Sequence, residues 1–432
     1  MRSQLILPAI LATFISFNAA GATTADTYSA DIDAKVLAWR RDFHQFPELG
    51  NREFRTSKII AAHLKSLGLE VKTGIAHTGV VAILKGGQPG PKIALRADID
   101  ALPVTEKNDL PFASKQVTEF RGEKTGVMHA CGHDSHTAIL LGVATAMVEM
   151  KKDLKGEVMF IFQPAEEGPP DGETGGASAM LEEGLFKNYK PEAIFGLHVW
   201  SAMNAGQVGY RSGPAMAASD RFRIVVKGRQ THGSRPWGGV DPIVAAANIV
   251  NTTQTIVSRR MNISELPVVV SFGAIKGGIR YNIIPDEVEL IGTIRTFDEG
   301  MRQKVFTELK NIAANVAEAH GATVVSEVPD TIGNPSMINN PELTTRSVPS
   351  LIKSAGAENV VNMSLVMGAE DFSYFANEVP GFYFFVGATP KGQDAATAAS
   401  NHSPQFFLDE SALKVGTRGL LQVALDYLNK TP

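Results

Sequence analysis

Hydrophobic residues along most of the chain alternate between helix-like and strand-like patterns. Apolar side chains recur at helical spacing in some segments, and unbroken apolar runs typical of buried strands lie between them. The helix-like segments are 32–43, 60–67, the stretch after Ser135, and 177–183. The strand-like segments are 80–84, 92–97, 157–163 and 193–198. This succession predicts an α/β layer.

The middle of the chain, from about residue 220 to 328, has a different pattern. Phe222, Ile224 and Val226 alternate with polar residues, as in a half-buried strand. A helix, two strands, a helix and a last strand are then predicted at 242–259, 267–275, 287–295, 301–320 and 323–328. The order β-α-β-β-α-β is that of the split ferredoxin-like motif.

The α/β pattern resumes after this region, with an apolar strand at 382–386 and a leucine-rich C-terminal helix. A smaller α+β domain is therefore predicted to be inserted into a larger α/β domain. We expect the larger domain to comprise residues 23–216 and 330–432, and the insert to comprise residues 217–329.

The first 22 residues have the pattern of an export signal. Arg2 precedes an apolar run at 5–17, and Ala20-Gly21-Ala22 fits an A-x-A cleavage site. The run is shorter than the ~20 residues that span a bilayer, which favours a cleaved signal over a membrane anchor. We expect a bacterial protein that is periplasmic or secreted, with no membrane association after cleavage.

Composition restricts the function classes further. The 432 residues are 44% hydrophobic and 20% charged, as in ordinary globular proteins of about two domains. The net charge of −4 gives no electrostatic signature of nucleic-acid binding, so a small molecule is the expected substrate. The single cysteine, Cys131, cannot form an internal disulfide. It is a buried bystander, an intermolecular link or a thiolate with a chemical role.

The densest group of metal-ligand residue types is the segment 129–136, HACGHDSH, with one thiol and three imidazoles in eight positions. Thiolate and neutral imidazole are good ligands for zinc or a similar transition ion. The alternative is the N-terminus of a helix, capped by Asp134 or Ser135, with incidental histidines.

A second group is the pair Glu166 and Glu167, which follows the apolar strand at 157–163. Sites in α/β sheets lie at strand ends. Adjacent carboxylates in an extended segment face different ways, so one can bind a metal while the other activates water as a general base. The alternative is a solvated loop edge.

His198 and His402 are weaker signals, since a single histidine is usually structural. His198 closes the apolar strand 194–197 and His402 lies in the turn NHSP, so both are expected at the same sheet edge. Asp98 and Asp100, at the end of another buried strand, are candidates to orient a ligand imidazole.

Eight motifs, in order along nearly the whole mature chain, carry a resemblance to a known family. They are LRADIDALP, HACGHDSHT, FQPAEEG, GLHVW, THGSRPWGGVDP, NIIPDEVELIGTIRTF, GAEDFSYF and NHSP. The chain resembles the hippurate hydrolase and auxin-conjugate (IAA-amino acid) hydrolase group. This group is the N-acyl-amino acid amidohydrolase branch of the aminoacylase and carboxypeptidase superfamily of co-catalytic metallopeptidases.

The resemblance implies a two-metal centre in a metallopeptidase-type α/β domain. Glu166 is implied as the general base and Asp98 as an aspartate behind the metal site that assists catalysis, with Cys131 shared by both ions. The implied metal ligands are Cys131, His133, Glu167, His198 and His402. The ligand types favour zinc, with manganese, cobalt and nickel as alternatives.

The resemblance also implies that the ferredoxin-like insert is a lid and a surface for homodimers or larger homo-oligomers. His232 of the lid is implied to complete a partner's active site, where it would donate to the oxyanion. Asn282 is implied to contact the substrate, at its carboxylate end. From the residues alone, His232 is equally an exposed loop histidine and Asn282 a turn residue. His129, His136, Glu370 and His44 are interpreted as supporting or structural.

The expected activity is metal-dependent hydrolysis of N-acyl L-amino acids with aryl or other hydrophobic acyl groups. The products are a carboxylic acid and a free amino acid, and aryl amides of phenylalanine such as ochratoxin A are candidate substrates. A dipeptide carboxypeptidase with the same mechanism is one alternative. A non-catalytic binding protein on the same fold is another.

Overall fold

The computed structural model describes residues 28–331 and 333–429. The export signal predicted for residues 1–22 lies outside the described residues. The described helices are α1 Ala30–Gln45, α2 Phe54–Ser66, α3 His133–Glu149, α4 Gly176–Glu182, α5 Pro242–Thr255, α6 Glu299–Ala319, α7 Pro341–Ala355, α8 Phe372–Glu378 and α9 Ser411–Asn429.

The strands, in chain order, complete the set of regular elements in the same residues. They are β1 Glu70–Ile75, β2 Gly79–Lys85, β3 Gln88–Asp98, β4 Val117–Phe120, β5 Glu123–Gly126, β6 Lys155–Gln163, β7 Ala193–Asn204, β8 Val208–Tyr210, β9 Gly213–Met216, β10 Ala218–Lys227, β11 Thr231–His232, β12 Val269–Lys276, β13 Ile283–Ile284, β14 Glu287–Thr296, β15 Thr323–Glu327, β16 Met337–Asn339, β17 Val360–Asn362 and β18 Gly381–Thr389.

The larger unit is built on an eight-stranded sheet with the order β1-β2-β6-β3-β7-β18-β8-β17. The four central strands, β6, β3, β7 and β18, are mutually parallel. Helices α1, α2, α3, α7 and α9 contribute to the apolar core on one face, and α4 and α8 to the core on the other. Because both faces are covered, the central strands are long apolar runs, and every residue of β18 is buried.

The smaller unit is a four-stranded antiparallel sheet, with the order β12-β14-β10-β15, covered by α5 and α6. Phe222, Ile224 and Val226 of β10 alternate into its own core, as their spacing predicts. Asp241 and Asp298 cap the two helices by accepting backbone N–H bonds. The predicted fold class, an α/β domain with a ferredoxin-like insert, is confirmed. The limits 217 and 329 stay predictions.

The chain enters this insert after β9 and leaves it before β16, and these two short strands pair with each other. The first helix of the insert is continued by a π-helical segment, Ile256–Arg260, which accounts for the longer helix predicted from the sequence. Among the described residues, none of the helices is long and apolar enough to cross a bilayer.

Strand β7 differs from its prediction because it does not end at His198. It continues to Asn204, since β18 goes on pairing with it beyond that point. Pairing of β7 with β3 extends only from Ala193 to Gly196. His198 therefore lies within a strand, but past the end of its pairing with β3, where its side chain is open to the sheet edge.

Candidate metal centre

The candidate ligands come from five segments that converge at one edge of the main sheet. Parallel strands β3 and β6 end in register at Asp98 and Gln163, and the chain then supplies Asp100 and the Glu166–Glu167 pair. The turn into α3 supplies Cys131 and the first residue of that helix, His133. The positive φ of Gly132, 91°, makes this turn, and an added Cβ would lie 2.3 Å from a Val199 methyl.

Cys131 lies at the centre of the group. Its Sγ is 3.3 Å from His198 Nε2 and 3.2 Å from His402 Nε2. His402 Nε2 in turn lies 3.0 Å from Glu167 Oε1. Two triads each have potential ligand atoms within 4.8 Å of one another: Cys131 with His133 and His198, and Cys131 with Glu167 and His402. The two triads share the thiol.

Hydrogen bonds on the far side of two rings turn their Nε2 atoms toward the thiol. His133 Nδ1 donates to the Asp100 backbone oxygen at 2.9 Å, and His198 Nδ1 donates to the Val199 oxygen at 2.6 Å. Such outer bonds fix the tautomer of ligand histidines in metal sites. Burial, followed by His136, lowers the pKa of His198 well below its usual range, so its ring is neutral and Nε2 carries a lone pair.

The donor atoms fit a bound cation. His133 Nε2 and Glu167 Oε1 are buried and have no hydrogen-bond partner among the described residues. Buried polar atoms are rarely left unpaired unless an ion or water satisfies them. Burial, Glu167 and Glu166 raise the pKa of the Cys131 thiol well above its usual range, whereas coordination favours the thiolate. The set of imidazoles, a thiol and a carboxylate suits zinc or a similar ion.

Three other histidines in the vicinity play different parts. His136 Nδ1 donates to Asp98 Oδ1 at 2.6 Å, and its Nε2 accepts the Val199 N–H at 2.8 Å, so neither nitrogen is free for a metal. His44 donates to two buried carboxylates. Burial lowers the pKa of His129 to about 4, so its ring is neutral. These positions agree with the supporting or structural interpretation.

Glu166 occupies a buried position beside the donor triads. Its Oε2 lies 3.9 Å from His133 Nε2, and its Oε1 accepts a long, 3.5 Å bond from the Asp371 backbone N–H. Burial, and then the carboxylates of Glu370 and Glu167, raise the pKa of Glu166 well above its usual range. As the alternation of adjacent side chains predicts, Glu166 and Glu167 face different partners, and Glu167 faces His402.

A buried charge network behind Glu166 was not predicted from the sequence. The guanidinium of Arg96 is fully buried and lies 2.7 Å from Asp98, 2.9 Å from Glu370 and 2.8 Å from Asp371. Gln163 donates to Asp371 as well, at 2.7 Å. The sequence signal was the arginine that opens RADID, since a cation inside an apolar strand must be paired when it is buried. The network holds Asp98 and the Asp371 N–H in place.

His232 and Asn282 lie together on a small two-stranded ribbon of the insert, formed by β11 and β13. His232 pairs with Ile283, and the Gly233 N–H donates to the Asn282 oxygen at 2.8 Å. His232 is exposed, and its Nδ1 accepts the Ser234 N–H at 3.0 Å. Within residues 28–331 and 333–429, neither side chain contacts the donor triads. The structure brings these two residues to each other but not to the candidate metal centre.

Comparison with known sequences decides the family. The profile of Peptidase family M20/M25/M40 matches residues 94–426. The chain belongs to this family. It is 39% identical to thermostable carboxypeptidase 1 of Saccharolobus solfataricus over 93% of this chain and 97% of that one. It is 41% identical to the N-acyl-L-amino acid amidohydrolase of Geobacillus stearothermophilus over 68% of this chain and 75% of the relative.

Among solved structures, one M20 protein of Bacillus subtilis is described as a dinuclear metal-binding peptidase. It superposes with a TM-score of 0.76 at 34% identity, covering 93% of this chain and 99% of its own. This M20 chain is a metal-dependent amidohydrolase, which confirms the predicted family and enzyme class. The two donor triads sharing Cys131 fit the two metal ions of such an enzyme. The alternative of a non-catalytic binding protein is rejected.

Proposed function

We propose that this enzyme hydrolyses the amide bond of N-acyl L-amino acids whose acyl group is aryl or otherwise hydrophobic. The observation that carries the proposal is the buried Glu166 carboxylate beside two donor triads that share Cys131. The names of the relatives divide between amidohydrolase and carboxypeptidase, and both describe cleavage of an amide next to an amino acid. Aryl amides of phenylalanine, such as ochratoxin A, are within this substrate class.

The proposed ligands divide between two divalent cations, with zinc favoured and manganese, cobalt or nickel as alternatives. Cys131, His133 and His198 would hold one ion, and Cys131, Glu167 and His402 the other. Bound cations lower the pKa of water and stabilise negative charge on the substrate oxygen. The Cys131 sulfur then carries its charge between two cations.

Glu166 is the proposed general base and acid. It accepts a proton from the attacking water and passes it to the amide nitrogen as the carbon–nitrogen bond breaks. Burial and neighbouring carboxylates already favour the protonated form of Glu166, which supports its second role as a proton donor. Asp98 assists from behind, because it fixes the His136 ring and pairs with Arg96 rather than contacting water.

The lid residues are proposed to complete the site from outside. His232 would donate to the developing oxyanion and Asn282 would bind the substrate carboxylate. The exposed ribbon that carries them supports delivery to a partner subunit's site, in a homodimer or larger homo-oligomer. The large apolar side chains beside it, Tyr281 at 94% exposed and Trp237 at 76%, favour a protein contact there. We also propose export, by cleavage after Ala22, to the periplasm or medium.

A substrate panel tests the proposed function. The purified mature chain, loaded with zinc or manganese, is assayed with N-benzoyl- and N-acetyl-phenylalanine and with free dipeptides such as Phe-Phe. We expect the N-benzoyl compound to have the highest kcat/KM. A preference of tenfold or more for free dipeptides would identify a dipeptide carboxypeptidase and contradict the proposal.

A further inference from the structure

We propose that a cavity under the β4–β5 hairpin is the binding site for the acyl group of the substrate, and that it selects aryl acyl groups. This inference rests on the proposed function, because it assigns one end of that substrate to one part of the catalytic unit. The cavity has a volume of about 610 Å³ and opens beside Glu167. Small-molecule sites in proteins have volumes of roughly 300–1,000 Å³.

Three segments that flank the metal centre enclose this cavity, which we call the hairpin cavity. They are the loop between α1 and α2 (residues 47–52), the segment after β3 (101–103), and the loop that follows Glu167 (168–171). The hairpin (β4 and β5) forms the fourth side as a separate two-stranded sheet. Its tip is tied to the Glu167 loop by an Arg121–Asp171 ion pair of 2.9 Å.

The interior of the hairpin cavity favours an apolar group. Leu49 and Leu102 line the body side, and Val117 and Phe120 of β4 line the hairpin side. The arginines at its rim are already paired, Arg52 with Glu173 at 2.6 Å and Arg121 with Asp171. The Glu48 carboxylate accepts two backbone N–H bonds at the start of α2. These charges are therefore neutralised by protein partners.

Position relative to the metal centre decides which end of the substrate enters the cavity. Glu167 belongs to a donor triad and also lines the cavity, so a group bound there adjoins the reacting amide. Among the described residues, none of the cavity's lining comes from the insert, which carries Asn282, the proposed ligand of the substrate carboxylate. The amino acid end therefore faces the insert, and the acyl end faces the hairpin cavity.

Two substitutions on β4 test the assignment. Successive residues of a strand point to opposite faces, so Val117 and Phe120 sample both faces of β4. Val117→Trp fills the cavity, and Phe120→Ala removes an apolar wall. We expect at least one of them to lower the ratio of kcat/KM for N-benzoyl-phenylalanine to that for N-acetyl-phenylalanine tenfold or more. The matched control is Val361→Trp on the distant strand β17, which should keep the wild-type ratio.

Binding supplies a second readout without turnover. In a Glu166→Gln background, Val117→Trp or Phe120→Ala should weaken N-benzoyl-phenylalanine binding at least fivefold more than N-acetyl-phenylalanine binding, by calorimetry. Thermal unfolding checks that each variant is folded. If both variants keep the wild-type selectivity in both assays, the cavity does not hold the acyl group. If the wild-type enzyme cleaves neither probe, the proposed function itself is wrong.

Discussion

The donor triads and the lid ribbon are opposite in their degree of order and burial. Cys131, His133 and His198 are 6%, 1% and 5% exposed, and hydrogen bonds behind the rings fix the two histidines. On the ribbon, His232 is exposed and Tyr281 is 94% exposed. The metal centre is therefore organised by its own domain. The ribbon offers its functional groups to something outside that domain.

This difference predicts that the two regions fail in different ways. Changes in the metal centre should alter metal retention or proton transfer within each subunit. Changes on the ribbon should leave the metals bound and reduce only the chemistry that needs the completed site. Three substitutions separate these effects.

The largest effect is expected from Glu166→Gln. The amide cannot take a proton from water, so kcat should fall by about 10³-fold, within the range of lost general-base catalysis. Metal content should stay at the wild-type level, since Glu166 belongs to neither proposed ligand triad. The assay is N-benzoyl-phenylalanine turnover with elemental analysis of the same sample. Glu358→Gln, on a remote surface, is the control, and near-wild-type turnover in Glu166→Gln would remove it from its role.

A smaller loss, about 10²-fold in kcat, is expected from His232→Ala, because one oxyanion donor is removed while the metals remain. If a partner supplies His232, then mixing His232→Ala with Glu166→Gln subunits should restore activity, since one mixed site keeps both residues. Exchange of subunits under mild denaturation, followed by an activity assay, makes this measurement. Mixtures as inactive as the separate variants would show that His232 acts within its own chain.

The smallest of the three effects is expected from Asp100→Ala, which touches no substrate. Asp100 accepts bonds from His133 Nδ1 and from the Glu167 N–H, so it orients one ligand in each triad. Loss of such a supporting carboxylate weakens metal affinity about 10- to 100-fold. Competition with a chelator measures this affinity. At saturating metal we expect kcat to recover substantially, and unchanged affinity would assign Asp100 a purely structural role.

The sequence predicted the family, both units of the fold and the ligands that the two triads bring together, because those residues fall in short contiguous motifs. It did not predict the Arg96 network, since Arg96 and Asp371 are 275 positions apart and only folding brings them together. The ligand nitrogens were also beyond it. His133 and His136 are three residues apart, and only their hydrogen-bond partners distinguish a free Nε2 from an occupied one.

The hairpin that covers the proposed acyl cavity had no clear sequence signal. Strand β4, VTEF, is short and half polar, and it pairs only with β5. A two-stranded element of this kind is stabilised by its attachment to the body rather than by its own pattern. In the same way, the length of β7 depends on pairing with β18, which lies far along the chain.

Anomalous X-ray diffraction at the metal absorption edges, on crystals of the metal-loaded mature protein, tests the central claim most directly. We predict two peaks per chain, both bonded to Cys131 Sγ, one also bonded to His133 and His198 and the other to Glu167 and His402. A single peak, or two peaks with Cys131 unbound in a fully active preparation, would contradict the account.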